Sequence, residues 1–310
     1  MDIFFNELSV KKARNKGTAK EWMANLMALY NKAQKQGFKE LKTTETFINI
    51  TLAPGYRLSE WVYDPLVDRE LRRLFLTKVS KSPFIENLLV KKNGEVELLH
   101  EFKRKGRIAA GLGAAYLFDS LAVSFDNSNE WDSHLIELDI SEYAEEEEKI
   151  IQFTEKVKHS SKLIHLDYLK EWIEDKKKYS IPNGKLLWLK QKELFPHLKF
   201  CENVESQVSF LTNVNPEFNQ VIKRLFELEN YCSKWETGIF TGKNFPSKVT
   251  PESESRRLKF KDELTFACPD GETRLFSWHA RYTPGAGRIH FAPDNSKKVI
   301  YIGYIGQKIQ

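Results

Sequence analysis

The sequence lacks the features of membrane-spanning, secreted and disulfide-stabilised proteins. No apolar run approaches the ~18 residues that a bilayer span requires. The first eight residues contain no hydrophobic segment of the kind that signal peptides carry. Only three cysteines occur in 310 residues, and they are scattered and odd in number. Because this usage is typical of a reducing compartment, we expect a cytoplasmic protein with no membrane partner.

Metal-binding motifs and biased composition are missing as well. Neither a CxxC pair nor an HExxH motif occurs, so we expect no metal and no cofactor. With 11 prolines and 15 glycines the chain is neither collagen-like nor of low complexity, and 13% aromatic residues argue against disorder. Its length favours two or three packed domains. A net charge of +5 and a pI of about 8.8 permit nucleic-acid binding.

The hydrophobic pattern predicts an α+β fold, with a mixed N-terminal region, a helical middle and a C-terminal antiparallel β meander. Five glutamates in residues 141–148 indicate a solvated boundary. Helical spacing of apolar residues then predicts helices over residues 147–158 and 161–178. The predicted divisions are a mixed α/β domain over 1–140, a helical segment over 141–237, a Gly/Pro/Ser-containing linker over 238–255 and a β-rich module over 256–310.

The last 60 residues carry the sharpest pattern. Strands are predicted over 264–268, 273–282, 288–291 and 299–305, with turn residues between them. Side chains alternate between the two faces of a strand, and the apolar set is expected to face a core. The polar residues that would then converge on one surface are His279, Arg281, Arg288 and His290.

These residue types suit the cleavage of RNA. The 2′-hydroxyl must lose a proton, charge on the phosphorane must be stabilised, and the 5′-oxygen must gain a proton. Histidine transfers protons near neutral pH, and arginine binds phosphate with two hydrogen bonds. Tyr301 or Tyr304, according to register, could donate a proton or stack on a base. This chemistry requires no metal. The alternative is that the same residues form only the solvated face of a half-exposed sheet.

Residues 288–309, RIHFAPDNSKKVIYIGYIGQKI, and the preceding F-x-W-H resemble the terminal strands of bacterial toxins of the RelE/HigB ribonuclease superfamily. The resemblance covers about the last 50 residues. It implies two helices packed against an antiparallel sheet that cuts messenger RNA without metal. On this resemblance Arg281 or Arg288 would hold phosphate, and His279 or His290 would act as acid and base. Lys308 would help to bind RNA.

The chain is much longer than a single toxin domain, which indicates a different biological role for the whole protein. Such toxins are normally single small domains, so the whole chain looks more like a component of a bacterial toxin–antitoxin or antiphage defence system. We expect a metal-independent ribonuclease or RNA-binding effector that acts on RNA rather than DNA and has a possible protein partner. The alternative is a non-catalytic sensor or adaptor that binds a partner protein or nucleic acid in a defence complex.

A third pattern is a fragment of a metal-dependent nuclease motif. Glu101-Phe102-Lys103 forms an E-x-K triplet at the end of a predicted strand. An upstream acid such as Asp68 or Glu70 would have to complete a PD-(D/E)xK site. Tripeptides of this kind are common by chance in a Glu-rich chain, so this alternative has the weakest support.

Overall fold

The computed structural model describes residues 1–79, 83–89, 100–144, 149–178, 180–283 and 287–310. Helices and strands both contribute to the fold, which confirms the predicted α+β class. The contacts between Cα atoms divide the chain into two compact units, Met1–Lys178 and Tyr179–Gln310, which we call unit 1 and unit 2. No described helix has the length and apolarity needed to cross a membrane.

Unit 1 is built on a mixed sheet with helices packed against it. The described strands have the order β2-β1-β7-β9-β8-β5-β6; those from β2 to β9 run parallel and those from β9 to β6 antiparallel. Its elements in chain order are β1 Ile3–Phe5, α1 Lys16–Lys35, β2 Leu41–Lys42, β3 Thr51–Ala53, β4 Tyr56–Arg57, α2 Leu58–Tyr63, α3 Arg69–Lys78, α4 Ile85–Leu89, β5 His100–Arg104, β6 Arg107–Ile108, α5 Ala110–Leu117, β7 Leu121–Val123, β8 Leu135–Ala144, β9 Lys149–Ser160, α6 Leu163–Tyr168 and α7 Lys170–Lys178.

Strands β1 and β7 of unit 1 are buried on both faces. Ile3 and Phe5 of β1 enter one core together with the apolar face of α1, whereas Phe4 enters a second core together with α5. A strand covered on both sides reads as a continuous apolar run, as the sequence IFF does. Helix α5 lies close to β1, because a Cβ atom on Gly111 would stand 2.0 Å from the carbonyl oxygen of Phe5.

Strand β9 corrects the prediction of a helix over residues 147–158. Along the strand, exposed side chains alternate with half-buried or buried ones such as Phe153 and Val157. This period of two, with β-branched and aromatic residues, is the pattern of a strand. Strand β9 pairs with β8 from Leu135↔Lys158 to Ala144↔Lys149. The predicted boundary at 140/141 therefore lies inside β8, and residues 145–148 of the glutamate run lie outside the described residues.

Unit 2 places helices against a second mixed sheet. The described strands have the order β10-β16-β15-β14-β11, in which β10 is parallel to β16 and the other neighbours are antiparallel, while β12 and β13 form a separate hairpin. Its elements are α8 Gly184–Leu194, β10 Leu198–Phe200, α9 Asn203–Val208, α10 Pro216–Cys232, β11 Val249–Pro251, α11 Glu254–Lys259, β12 Thr265–Ala267, β13 Thr273–Leu275, β14 Trp278–Tyr282, β15 Gly287–Asp294 and β16 Val299–Gln307.

The antiparallel meander β14-β15-β16 is the predicted C-terminal one, but its sheet is larger than the sequence indicates. Strand β11 lies inside the predicted linker 238–255 and pairs with β14. Strand β10 lies inside the segment predicted to be helical and pairs with β16. The predicted strand 273–282 is divided into β13 and β14, which belong to different sheets. The structure therefore divides the chain after residue 178, not at residues 141, 238 and 256.

One face of this sheet is apolar and packs against α10. Phe218 and Leu225 of α10 share a core with Ile289 of β15 and Ile302 of β16. Helix α9 also lies against β16. The opposite face carries the polar residues singled out in the sequence.

Candidate functional site

The four polar residues predicted to converge do lie on one face of the sheet. His279 of β14 stands opposite His290 of β15, and Arg281 stands opposite Arg288 on the neighbouring rung. The centres of the two imidazole rings are 5.6 Å apart. The intervening Ile289 faces the apolar core, as the period of two requires. The predicted placement of these side chains agrees with the structure.

A β-bulge brings both predicted tyrosines onto the same face. His290 pairs with Tyr304, and the register then shifts so that Gly303 is the extra residue of β16. Strict alternation would place Tyr301 and Tyr304 on opposite faces, but the bulge removes this conflict. Gly303 is required here, because a Cβ atom would stand 2.5 Å from the ring of Phe276.

The polar face is buried, which corrects the prediction of an open polar surface. His290 is 0% exposed, and His279 and Arg288 are each 3% exposed. The segment that covers them is residues 252–276, which we call the cover; it contains α11 and the β12–β13 hairpin. The ring of Phe266 in this hairpin stacks over Tyr304 with a centre-to-centre distance of 6.5 Å. No local sequence pattern indicates that this hairpin leaves the main sheet and folds over it.

Polar contacts join the cover to β16. The hydroxyl of Tyr301 donates to Oδ2 of Asp270 at 2.7 Å, and the guanidinium of Arg274 lies 4.2 Å from the centre of the Tyr301 ring. Arg274 also donates two hydrogen bonds to Asp270, at 2.7 and 2.8 Å. Hydrogen bonds from Arg274 and Tyr301 hold the pKa of Asp270 well below its ordinary value. The side chain of Tyr301 therefore contacts Asp270 and Arg274 of the cover in the described structure.

Glu252, at the start of the cover, joins the histidines and was missed in the sequence. It follows β11 directly, and its Oε1 lies 3.0 Å from Nδ1 of His279. Its other oxygen accepts a hydrogen bond from Nε of Arg256 at 2.9 Å. Burial raises the pKa of Glu252, but His279 and Arg256 outweigh that effect and lower it to about 2. Glu252 is therefore an ionised carboxylate in a buried position.

Burial disfavours the protonated form of both histidines. It lowers the pKa of His290 to about 3, and the charges of His279 and Arg288 act in the same direction. Burial also lowers the pKa of His279, against the opposing effect of Glu252. A neutral imidazole has one nitrogen with a free lone pair, which can accept a proton or bind a metal ion.

Several buried polar atoms of this cluster lack hydrogen bonds. Neither ring nitrogen of His290 has a hydrogen-bond partner among the described residues. The backbone of Phe276 favours the protonated ring, but the contact lies outside hydrogen-bonding geometry. Among the described residues, Oε1 of Glu252 and Nδ1 of His279 have only each other as polar partners, at 3.0 Å. Such atoms are rare in folded proteins and indicate a functional role or an absent ligand.

Two of the three buried histidines of unit 1, His159 and His165, have partners at both ring nitrogens. Nε2 of His159 lies 2.7 Å from Oγ of Ser124, and Nδ1 lies 2.7 Å from the carbonyl oxygen of Ser133. His165 contacts Asp132 at 3.1 Å, and its other nitrogen accepts a backbone N–H. Burial lowers the pKa of His159 to about 4. These contacts join loops at the ends of β7 and β9, and we assign them a structural role.

The remaining predicted residues lie outside the histidine cluster. Lys308 is half-buried just beyond the end of β16. Glu101 and Lys103, from the nuclease-like triplet, form an ion pair at 2.7 Å on β5. Asp68 accepts two backbone hydrogen bonds as the N-cap of α3, so its carboxylate already has a structural role.

The arrangement permits two kinds of chemistry. Paired neutral histidines can accept and return protons, while neighbouring arginines neutralise a phosphate. The same nitrogens, together with the carboxylate of Glu252, form a set of metal ligands. Comparisons with protein-family models, with curated proteins and with solved structures find no match to this chain.

Proposed function

We propose that the chain is an RNA-binding effector that cleaves RNA at the polar face of unit 2. One observation carries the proposal: His279 and His290 pair on one rung, and Arg281 and Arg288 pair on the next. Rungs on one face are about 7 Å apart, a distance that a ribose and its phosphate can span. The two groups needed for proton transfer and the two needed for charge neutralisation thus adjoin one another.

The roles follow from the contacts of each side chain. His279, which Glu252 orients, removes the proton of the 2′-hydroxyl, and the 2′-oxygen attacks phosphorus. The bond from phosphorus to the 5′-oxygen breaks, and His290 gives its proton to that oxygen, leaving a 2′,3′-cyclic phosphate. Arg281 and Arg288 neutralise the charge that develops on the phosphorane.

The cover must move before RNA can reach these groups. In the described state the buried histidines are both neutral, so neither can act as the acid. Displacement of the cover would expose the rings to water and bring their pKa values back towards 6.5, so that one could be protonated near neutral pH. The proposed effector is therefore inactive while the cover is closed and acts in the fraction of molecules whose cover is open.

The RelE/HigB resemblance noted in the sequence is the basis for the proposed biological setting. In unit 2, helices α9 and α10 lie against a largely antiparallel sheet, although they precede the residues that the resemblance covers. On this basis we propose that the protein belongs to a bacterial toxin–antitoxin or antiphage defence system, acts in the cytoplasm, and has a protein partner that keeps it inactive.

Expression in a bacterial host tests the proposal. The wild type should slow growth and fragment cellular RNA, whereas His279→Ala and Arg288→Ala should do neither. His134→Ala in unit 1 is the control and should behave as the wild type, because His134 lies outside unit 2. Equal growth and equal RNA integrity in all four strains would exclude catalysis at this face.

A second function, a non-catalytic sensor or adaptor, is favoured by the burial of the polar face. If the cover never opens, His279 and Arg288, each 3% exposed, have no access to substrate. Affinity purification followed by mass spectrometry separates the two proposals. A stoichiometric protein partner, with intact RNA in the expressing cells, would support the adaptor.

A further inference from the structure

We infer that Glu252, His279 and His290 form a binding site for one divalent transition-metal ion, with Zn²⁺ as the best match. The inference concerns binding of the ion and does not rest on the RNA activity proposed above. No short metal motif marks the site in the sequence, because its three residues come from β14, β15 and the start of the cover.

The ligand set suits zinc. Zn²⁺ is bound by imidazole nitrogen and carboxylate oxygen, and two histidines with one glutamate leave a fourth position open. Ligands must be deprotonated before they bind a metal.

The distances fit a site that closes slightly around an ion. One ligand atom from each residue lies within 4.8 Å of the others. Metal–ligand bonds of about 2.1 Å in a tetrahedral site place ligand atoms about 3.4 Å apart, so the side chains must approach by about 1 Å. Oε1 of Glu252 and Nδ1 of His279 are already 3.0 Å apart.

The unsatisfied atoms are the ones that would bind the ion. Neither nitrogen of His290 has a hydrogen bond to a described residue, and the contact between Oε1 of Glu252 and Nδ1 of His279 would be replaced by bonds to the ion. Nε2 of His279 lies 3.3 Å from the hydroxyl of Thr250, and this contact can fix the orientation of the ring. Such outer contacts commonly orient a metal-binding histidine.

Positive charges near the cluster limit its affinity. Arg256 shares the Glu252 carboxylate, and Arg281 and Arg288 lower the pKa of His279 by charge repulsion. These arginines repel the metal ion and favour an anion as its fourth ligand. We therefore expect weaker binding than at structural zinc sites, which lack such neighbours.

Titration of the full chain with Zn²⁺, after removal of bound metal with a chelator, tests the inference. We expect one equivalent to bind and to raise the melting temperature, because the ion binds the folded state. Glu252→Gln and His290→Asn should each weaken binding at least tenfold. Circular dichroism must show that both variants are folded, and His290→Asn is suited to this because His290 has no hydrogen bond to lose among the described residues.

Cobalt(II) gives a spectroscopic check on the ligands. Cys201 and Cys268 are adjacent buried thiols of unit 2, and they could bind zinc by a different route. A site of nitrogen and oxygen ligands gives visible Co²⁺ bands without a thiolate charge-transfer band. The double variant Cys201→Ser, Cys268→Ser should retain both the bands and the affinity.

Three results would overturn the inference: no binding by the wild type, unchanged binding in Glu252→Gln and His290→Asn, or a thiolate band that the double cysteine variant abolishes. RNA cleavage is measured in a separate assay. The failure of either proposal is thus visible without the other.

Discussion

Both units bury histidines, and His159 and His165 of unit 1 differ from His279 and His290 of unit 2 in how their polar atoms are satisfied. Unit 1 also buries His100, whose Nε2 makes no hydrogen bond to a described residue and lies 3.6 Å from Glu142. In unit 1 every ring nitrogen of His159 and His165 has a partner. In unit 2 neither nitrogen of His290 has a hydrogen bond to a described residue. A complete polar network stabilises a core, whereas an incomplete one destabilises it. This contrast indicates that His159 and His165 serve the fold, and it is consistent with the chemical role that we propose for His279 and His290.

The largest expected effect on stability comes from removing the ring of His159, whose two nitrogens both have partners. His159→Leu leaves Ser124 and the carbonyl of Ser133 buried without their present partner. We expect a loss of about 3–5 kcal/mol in the free energy of unfolding of unit 1. Hydrogen–deuterium exchange with peptide resolution measures it, since protection should fall in residues 1–178 and remain in residues 180–310. Unchanged protection in unit 1 would show that the network is not structural.

Acid should destabilise unit 1 through the same residue. The pKa of His159 is about 4 in the folded state and near 6.5 in the unfolded state. Between these two values the unfolded chain binds a proton at His159 and the folded chain does not. Stability should therefore fall as the pH falls from 6.5 towards 4, by about 3 kcal/mol in total. Exchange protection of unit 1 at pH 7 and at pH 4.5 tests this. His159→Gln, which does not titrate, should lack this part of the pH dependence.

Overpacking at the bulge should loosen the cover of unit 2. A Cβ atom in Gly303→Ala would stand 2.5 Å from Phe276 and 2.7 Å from Phe266. We expect a local cost of about 1–3 kcal/mol. Residues 264–276 should then exchange faster, and diethyl pyrocarbonate should modify His290 faster than in the wild type. If the modification rate does not change, the cover is not what shields the histidine.

The smallest expected effect on stability comes from His290→Leu in unit 2, the substitution that matches His159→Leu in unit 1. His290→Leu removes a buried ring that has no hydrogen bond to a described residue, so it leaves no known partner unsatisfied. We expect the free energy of unfolding of unit 2 to change by about 1 kcal/mol or less, in either direction. A loss as large as that of His159→Leu would abolish the distinction between the two pairs.

The sequence predicts the parts of the site that depend on local periodicity. Alternation along two strands places His279 and Arg281, and likewise Arg288 and His290, on one face, and the structure has them there. Their burial could not be predicted, because the sequence 264–268 reads as one more strand of the meander. Only tertiary contacts with β16 show that the β12–β13 hairpin folds over the sheet.

Other features required long-range information. Glu252 lies 27 positions before His279, in a segment with the composition of a linker, and β11 has only three residues. The bulge at Gly303 depends on pairing with β15, which no local pattern specifies. The sequence predicts a helix in place of strand β9, because charged residues on both faces of the strand make its period of two hard to recognise.

The most direct test of the account compares RNA integrity in bacterial cells that express the wild type or His290→Leu at equal protein levels. We expect His290 to take part in RNA cleavage and to contribute little to the stability of unit 2. The expected result is fragmented RNA with the wild type and intact RNA with a variant that is equally well folded. Equal fragmentation by both proteins, or intact RNA with both, would contradict it.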